Sequence, residues 1–364
     1  MNRFIRVAAI LGACAVLAAS VSTAAACTGI TVKTQDGSVI FGRTLEFAVD
    51  FTSNLIVVPR GFEYVGSAPG DKPGLRWKSK YAVVGMNAYD QPLFGDGMNE
   101  RGLHVGIFYF PGFAKYQAVS AKDFPQTLAP QEFAGYLLGT CATADEAVEA
   151  AMNVKVAEVV FAQFGFVPPF HYVVSDASGQ SVVLEHVEGE LKVHRNPLGV
   201  ITNSPTFDWH MTNLSNYVNE TVSNVPKIEV GGEEIKSLGQ GGGMLGLPGD
   251  FTPPSRFVRA VAFSQSALPV ETAREGVLQA FHILNQFDIP KGAARGVEHG
   301  KVVADYTLWT AVSDLTNLRY YFRTYQNSRI RMLDLKAVNL DAQDVKTISI
   351  QGDEQIEDLS AKTR

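Results

Sequence analysis

Apolar and polar residues alternate along much of the chain in short runs that predict β-strands. Near the N-terminus, two such runs flank Asp36-Gly37, a pair that is typical of a hairpin turn. We therefore predict paired strands at 28–34 and 38–47. Further strands are predicted at 54–59, 81–86, 103–110, 171–176, 181–187, 191–195, 306–313, 318–325 and 329–334.

Other segments carry apolar residues at helical spacing. Helices are predicted at 129–140, 144–152, 206–218, 255–267 and 272–287. Thr143 is the expected N-cap of the second helix. Strands and helices come in separate runs rather than in strict alternation, which favours antiparallel sheets with helices packed on one face of each. We expect a single domain over residues 27–364, with a frayed charged tail from Gln351.

The first 26 residues have the pattern of a secretory signal peptide. Arg3 and Arg6 precede an apolar run at 7–21 that is too short to span a bilayer, and Ala24-Ala25-Ala26 supplies a cleavage site. We therefore expect residues 1–26 to be removed on secretion across the inner membrane. The remaining protein would be periplasmic or extracellular in a bacterium, with no membrane attachment after cleavage.

The composition of the 364 residues is that of a globular protein, with 46% hydrophobic and 19% charged residues. The formal net charge is −6 and basic clusters are sparse, so we do not expect nucleic acid as a partner. Three cysteines are too few for a disulfide framework, and none has zinc-ligand spacing. The glycine-rich run at 241–246 does not follow a predicted strand, so dinucleotide binding is not expected either. The sequence predicts neither a metal nor a cofactor.

Cleavage after Ala26 would make Cys27 the first residue of the mature protein. An N-terminal cysteine carries a nucleophilic thiol and an α-amine with a pKa near about 8, which is suited to act as its general base. Two alternatives remain open. Cys27 would be lipidated in a non-catalytic periplasmic lipoprotein, and Cys141 would be the nucleophile of a papain-like peptidase, although its flanking residues lack that signature.

Five blocks of the sequence resemble the choloylglycine hydrolase family, which includes bile salt hydrolases and penicillin V acylases. They are CTG at 27–29, FGRTLE at 41–46, DGMNERGL at 96–103, ITNSPTFDWH at 201–210 and LGLPGDFTPPSRF at 245–257. The resemblance implies an α+β N-terminal-nucleophile hydrolase. Its fold would be a four-layer αββα sandwich of two antiparallel sheets with helices on the outer faces. Its substrate would be a small molecule with a linear acyl-amide bond, cleaved without metal or cofactor.

The same resemblance assigns roles to residues of this chain. Cys27 corresponds to the nucleophile, and Arg43 would favour its thiolate. Glu46 stands where many members have Asp and would orient the α-amine. Asn203 corresponds to an oxyanion donor, and Arg256 to a second active-site arginine.

Tyr109 occupies a position where bile salt hydrolases usually have Asn and penicillin V acylases Tyr. Its backbone N–H would be the second oxyanion donor, and its ring would narrow the space for a steroid. We therefore expect penicillin V or a long-chain acyl-homoserine lactone to be preferred, with conjugated bile salt hydrolysis as the alternative. Candidates for an apolar acyl pocket are Phe47, Phe51, Phe108, Phe110 and Phe164. The segment 226–247 resembles the one through which many family members form homotetramers.

Overall fold

A computed structural model describes residues 26–298 and 301–363, so the predicted signal peptide lies outside it except for Ala26. The strands, in chain order, are β1 (Cys27–Lys33), β2 (Val39–Phe47), β3 (Asn54–Val58), β4 (Glu63–Ala68), β5 (Lys72–Lys78), β6 (Val83–Ala88), β7 (Gln91–Asn99), β8 (His104–Tyr109), β9 (Thr127–Leu128), β10 (Lys155–Val156), β11 (Phe170–Ser175), β12 (Ser181–Val187), β13 (Glu190–Arg195), β14 (Ile228–Val230), β15 (Glu233–Ile235), β16 (Ala294–Glu298), β17 (Lys301–Asp314), β18 (Arg319–Thr324), β19 (Asn327–Asp334) and β20 (Lys346–Ser349).

Helices are fewer and fall between the strand groups. The α-helices are α1 (Phe133–Thr140), α2 (Ala144–Met152), α3 (Phe207–Asn213), α4 (Pro253–Ser266) and α5 (Ala273–Leu284). Short 3-10 turns are found at Ala121–Gln126, Pro130–Glu132, Leu214–Tyr217, Gly242–Met244, Asn285–Phe287, Leu335–Ala337 and Ser360–Thr363. Among the described residues, no helix is long and apolar enough to cross a membrane.

Two large antiparallel sheets form the centre of the molecule. One has the strand order β1-β2-β17-β18-β19, with β16 pairing with β17, and the other has the order β13-β12-β11-β8-β7-β6-β3-β20. Helices α4 and α5 pack on the first sheet, and α1 and α2 on the second. The layers are therefore helix, sheet, sheet and helix, which confirms the predicted αββα sandwich.

The inner strands of the second sheet are buried on both faces, as β3 illustrates. Leu55 and Val57 of β3 belong to the core shared with the first sheet, whereas Ile56 and Val58 belong to the core under α1 and α2. This alternation follows from the two-residue period of a strand. It explains why this run contains only apolar residues instead of alternating with polar ones.

Most predicted elements are confirmed to within a few residues. The hairpin around Gly37 is the β1–β2 pair, and the hydroxyl of Thr143 accepts the backbone N–H of Glu146 at 3.1 Å as the N-cap of α2. Strand β7 was not predicted, because it contains Pro92, Gly95 and Gly97, which are depleted in strands. It forms because β6 and β8 pair with it on either side.

Candidate active site

Cys27 is the first residue of β1 and is almost completely buried, with 3% of its surface exposed. It lies opposite Leu45 of β2. Its backbone nitrogen donates a hydrogen bond to Oδ1 of Asn203 at 2.8 Å. Ala26 is still attached in the described chain, so this nitrogen is an amide that marks the position of the α-amine of a cleaved chain.

Asn203 connects three parts of the site. A backbone bridge between Gly29 and Ile201, with N···O distances of 2.8 and 3.0 Å, holds its segment against β1. The side-chain Oδ1 also accepts from Nη2 of Arg256 at 2.7 Å, while Nδ2 donates to the carbonyl of Tyr109 at 2.8 Å. A carboxamide has two N–H donors, and the hydrogen bond to Tyr109 uses one of them. The other N–H is chemically able to donate to an oxyanion formed next to the Cys27 thiol.

Arg256 is fully buried at the start of α4 and holds the Cys27 segment in place. Its guanidinium donates to the Cys27 carbonyl, to the Thr28 hydroxyl at 2.9 Å and to the carbonyl of Phe251 at 2.9 Å. Burial lowers the pKa of Arg256 to about 10, although Glu46 opposes that shift. The group therefore stays charged at neutral pH.

Arg43 is also fully buried and lies between aromatic rings. Its Nη1 donates to the carbonyls of Gly95 at 3.1 Å and Ile107 at 2.6 Å. The guanidinium carbon lies 4.1 Å from the ring centre of Phe108 and 5.4 Å from that of Trp309. Within the described chain its Nη2 has no hydrogen-bond partner. Among the described residues no acidic group forms a direct ion pair with this cation, which is fixed beside the site by its hydrogen bonds and the two rings.

The contacts of Glu46 are not those expected of a carboxylate that orients the Cys27 nitrogen. Its carboxylate accepts from the Thr307 hydroxyl at 2.9 Å, and its backbone N–H donates to the carbonyl of Ala26 at 2.9 Å. The hydrogen bond from the Cys27 nitrogen goes to Asn203 instead. Burial raises the pKa of Glu46 to about 8, against the opposing effect of Arg256 and other groups.

Buried charges of both signs act on Cys27. The cations Arg43 and Arg256 lower the pKa of its thiol, whereas the charge of Glu46 raises it. For Asp96, burial acts to raise the pKa, but His104 and Arg43 bring it below its usual value, so it is an anion that balances Arg43. The charge of Asp305 acts in the same sense on Arg256. Burial raises the pKa of the Cys27 thiol although Arg43 opposes the effect, so a base is needed to form the thiolate.

A small apolar cavity opens beside Cys27. Its wall is mostly aromatic and includes Phe47, Phe51, Tyr89, Tyr109, Phe161 and Phe164. Its volume is about 80 Å3. The ring of Tyr109 meets that of Phe47 edge-on, with 5.8 Å between the centroids.

All six predicted site residues lie in this region of the fold. Of the five phenylalanines predicted to form the acyl pocket, only three line the cavity. Phe47, Phe51 and Phe164 line the cavity. Phe108 and Phe110 do not: Phe108 packs under Arg43 in the core, and the ring of Phe110 stacks on His171. Successive side chains of a strand point to opposite faces of the sheet, so Phe108 of β8 lies on the other face from Tyr109, which lines the cavity.

Cys141 lies away from the site. It follows α1 and is buried among residues of α1 and α2, on the opposite face of the second sheet from the core that contains Cys27. Both cysteines in the described part of the chain are free thiols. The described residues contain no group of three or more His, Cys, Asp or Glu side chains placed to bind a metal.

Sequence reasoning missed five aromatic residues of the cavity wall: Tyr89, Phe94, Phe161, Phe170 and Trp309. Trp309 lies on β17, far along the chain, and nothing in its local pattern distinguishes it from a core residue. Tyr89 and Asp90 form the turn between β6 and β7 with φ values of 55° each, a left-handed conformation that usually requires Gly or Asn. The usual turn signal is therefore absent at Tyr89.

The model of the linear amide C-N hydrolases, choloylglycine hydrolase family, matches residues 27–348. The chain belongs to the choloylglycine hydrolase family. It is therefore an amidohydrolase of the class that cleaves linear carbon–nitrogen amide bonds. The family resemblance of the five sequence blocks is confirmed.

Individual relatives cover nearly the whole chain. A bile salt hydrolase/transferase of Clostridium perfringens is 36% identical over 325 residues, which are 88% of this chain and 96% of that protein. A crystal structure of a variant of conjugated bile acid hydrolase from C. perfringens has a TM-score of 0.82 at 32% identity and covers 92% and 100% of the two chains. Penicillin V acylase from Agrobacterium tumefaciens has a TM-score of 0.72 at 26% identity, with 89% and 91% covered. These neighbours confirm the N-terminal-nucleophile hydrolase fold.

Proposed function

We propose that this family member hydrolyses acyl amides with Cys27 as the nucleophile, after cleavage between Ala26 and Cys27 frees its α-amine. The observation that supports this proposal is the hydrogen bond from the Cys27 nitrogen to Oδ1 of Asn203, which brings the carboxamide next to Cys27. The charges of Arg43 and Arg256 both lower the pKa of the Cys27 thiol and so support an anion there.

The acylation step needs only groups of this chain and the substrate. The neutral α-amine takes the thiol proton while Sγ of Cys27 attacks the amide carbonyl carbon. The negative charge that develops on the carbonyl oxygen is stabilised by the second N–H of Asn203, with the backbone N–H of Tyr109 in the role that the family resemblance implies. The α-ammonium then protonates the leaving nitrogen, the carbon–nitrogen bond breaks and a thioester remains.

In the deacylation step the α-amine acts on water, and the sulfur of Cys27 becomes the leaving group. The α-amine takes a proton from water, the hydroxide attacks the thioester carbonyl, and the thiolate leaves and recovers the proton. The products are an amine and a carboxylic acid. Glu46, fixed by Thr307, and Arg256 hold the charge balance and the backbone around Cys27 during both steps.

The cavity supports an aryl or linear acyl group as the preferred substrate part. Its walls are apolar and aromatic, its free volume is small, and the rings of Tyr109 and Phe164 both pack near that of Phe47. A flat ring or an extended chain buries most of its surface in a small apolar cavity, whereas a fused steroid needs more room.

We expect penicillin V or a long-chain acyl-homoserine lactone to be cleaved with a higher kcat/KM than glycocholate. Pocket shape discriminates by about 10–200-fold at most in comparable cases. Steady-state assays of the three substrates on one preparation test this, and Tyr109→Asn should narrow the gap by admitting the larger group. A preference for glycocholate of about tenfold or more would replace this proposal with conjugated bile salt hydrolysis.

Conjugated bile salt hydrolysis is the second candidate, and one observation favours it. The bile salt hydrolase/transferase of C. perfringens is 36% identical to the chain, whereas a penicillin V acylase of Pectobacterium atrosepticum is 27% identical over 82% of it. Overall identity reports common ancestry along the whole chain, while specificity depends on the few residues around the acyl group. We therefore give more weight to the cavity.

The protein is proposed to be a secreted, periplasmic or extracellular enzyme, and the lipoprotein alternative makes a different prediction for its first residue. Mass spectrometry of the mature N-terminus tests both. A free Cys27 supports the enzyme, and an acylated Cys27 supports the lipoprotein.

The same proposal includes a homotetramer built through the segment 226–247. Apolar residues of this segment are more than half exposed: Ile228, Val230, Ile235, Leu238 and Leu245. An apolar surface of this kind is typical of a protein–protein contact. The β14–β15 hairpin contributes three of them and is exposed along both strands.

Light scattering should give a tetramer mass, and the double variant Ile228→Glu with Leu238→Glu should shift it towards smaller species. Two charges in an apolar contact would be buried without partners, which opposes association. Met152→Glu is the matched control, since Met152 is equally apolar and exposed but lies on α2. A monomer mass for the unaltered protein at high concentration would contradict the tetramer.

A further inference from the structure

Two histidines form hydrogen bonds with the backbone around Asn203. One contacts the carbonyl of Thr202 and the other contacts the carbonyl of Asn203 itself. Nε2 of His171 lies 3.0 Å from the carbonyl oxygen of Thr202, and Nε2 of His210 lies 2.9 Å from that of Asn203. A carbonyl oxygen only accepts hydrogen bonds, so both imidazoles must donate from Nε2. The two histidines and Asn203 are each 1–2% exposed, so water does not compete for these bonds.

The ring of His171 is fixed by a buried carboxylate on the neighbouring strand. Nδ1 of His171 lies 3.0 Å from Oε1 of Glu185, which is fully buried on β12. Glu185 also accepts the backbone N–H of Phe207 at 3.0 Å and faces Nε2 of His194 at 3.4 Å. Glu185 therefore anchors both ends of the segment 202–207.

Proton positions follow from these contacts. Nε2 of His171 donates to a carbonyl and Nδ1 faces the carboxylate of Glu185, so both ring nitrogens have hydrogen-bond partners that fix the ring. Burial acts to raise the pKa of Glu185, but hydrogen bonds from His171 and His194 lower it to about 2, which is consistent with an ionised carboxylate. Stacking of the His171 ring on Phe110, with 4.3 Å between centroids, blocks other ring orientations.

We propose that Glu185 and His171 are positioning residues that fix the Asn203 carboxamide for the oxyanion. The inference rests on the proposed role of Asn203. Neither residue touches the cavity or Cys27, so the effect must pass through the Thr202–Asn203 backbone. Oxyanion donors act only at the geometry of the transition state, so misplacing one lowers kcat more than it changes KM.

The test compares His171→Leu with His171→Gln, whose amide can still donate to the Thr202 carbonyl. We expect His171→Leu to lower kcat about tenfold to a hundredfold, less than complete loss of a donor, with KM changed by less than about threefold. His171→Gln should recover much of that loss.

The matched control is Asp176→Asn. Asp176 is a buried carboxylate at the other end of the same hairpin, and it caps the N-terminus of α2. It should lower the melting temperature and leave kcat per folded enzyme within about twofold.

A double-mutant cycle separates positioning from general destabilisation. In an Asn203→Ala background, His171→Leu should lower kcat by less than about twofold, because the group it positions is already absent. Equal losses in both backgrounds, or no recovery with His171→Gln, would overturn the inference. If Asn203→Ala itself leaves kcat unchanged in an active enzyme, the proposed oxyanion role fails instead.

Discussion

Cys27→Ala will reduce turnover by at least about 10⁴-fold, the loss seen when the nucleophile of a hydrolase is removed. The alanine side chain fits the buried position at the start of β1 without a cavity larger than one sulfur atom, so the fold should persist. Circular dichroism and the melting temperature check folding, and acyl-amide turnover checks activity. Cys141→Ala is the matched control and should retain full activity, because Cys141 lies in the other core.

A retained residue before Cys27 should abolish turnover just as completely. While Ala26 is attached, the nitrogen of Cys27 is an amide whose lone pair is delocalised, and it cannot take the thiol proton. The thiol itself has a raised pKa because it is buried, so little thiolate forms without a base. A chain with an uncleaved methionine directly before Cys27, verified by mass spectrometry, provides the measurement. Full activity of that chain would rule out the α-amine as the base.

Asn203→Ala will lower kcat by about 10²–10³-fold, as expected for the loss of one oxyanion donor. The same substitution removes the acceptor of the Cys27 nitrogen and of Arg256, so some loss of stability is expected as well. Asn203→Asp keeps both acceptor contacts but has no N–H, and it also loses the hydrogen bond to the Tyr109 carbonyl. It should be nearly as inactive as Asn203→Ala although the contacts to the Cys27 nitrogen and Arg256 remain.

The matched control for Asn203 is Asn196→Ala. Asn196 is a buried carboxamide seven positions earlier in the same connection, and its Nδ2 donates to the carbonyl of Val200 at 3.1 Å. Its replacement should cost stability without a comparable loss of kcat. If Asn203→Asp retains kcat within about threefold, the carboxamide is not an oxyanion donor.

The overall architecture followed from local patterns. Alternating apolar runs and an Asp-Gly turn predicted the β1–β2 hairpin, and the separation of strand runs from helix runs predicted layered antiparallel sheets. The family assignment followed from five blocks that include Cys27 and Asn203. The roles assigned to individual site residues, the cleavage after Ala26 and the tetramer stay predictions.

What the sequence by itself determined is which groups exist: an N-terminal thiol candidate, two arginines, a carboxamide and many aromatic rings. What only the tertiary structure decided is which of them meet. Asn203 reaches Cys27 across 176 positions of the chain, and Trp309 joins Phe47 at the same cavity. Strands buried on both faces carry no polar alternation, so local patterns could not tell that Phe108 lies in the core while Tyr109 lines the cavity. The contacts of Glu46 and the two histidines behind Asn203 likewise depend on which sheet faces which, and that is set by packing over the whole domain.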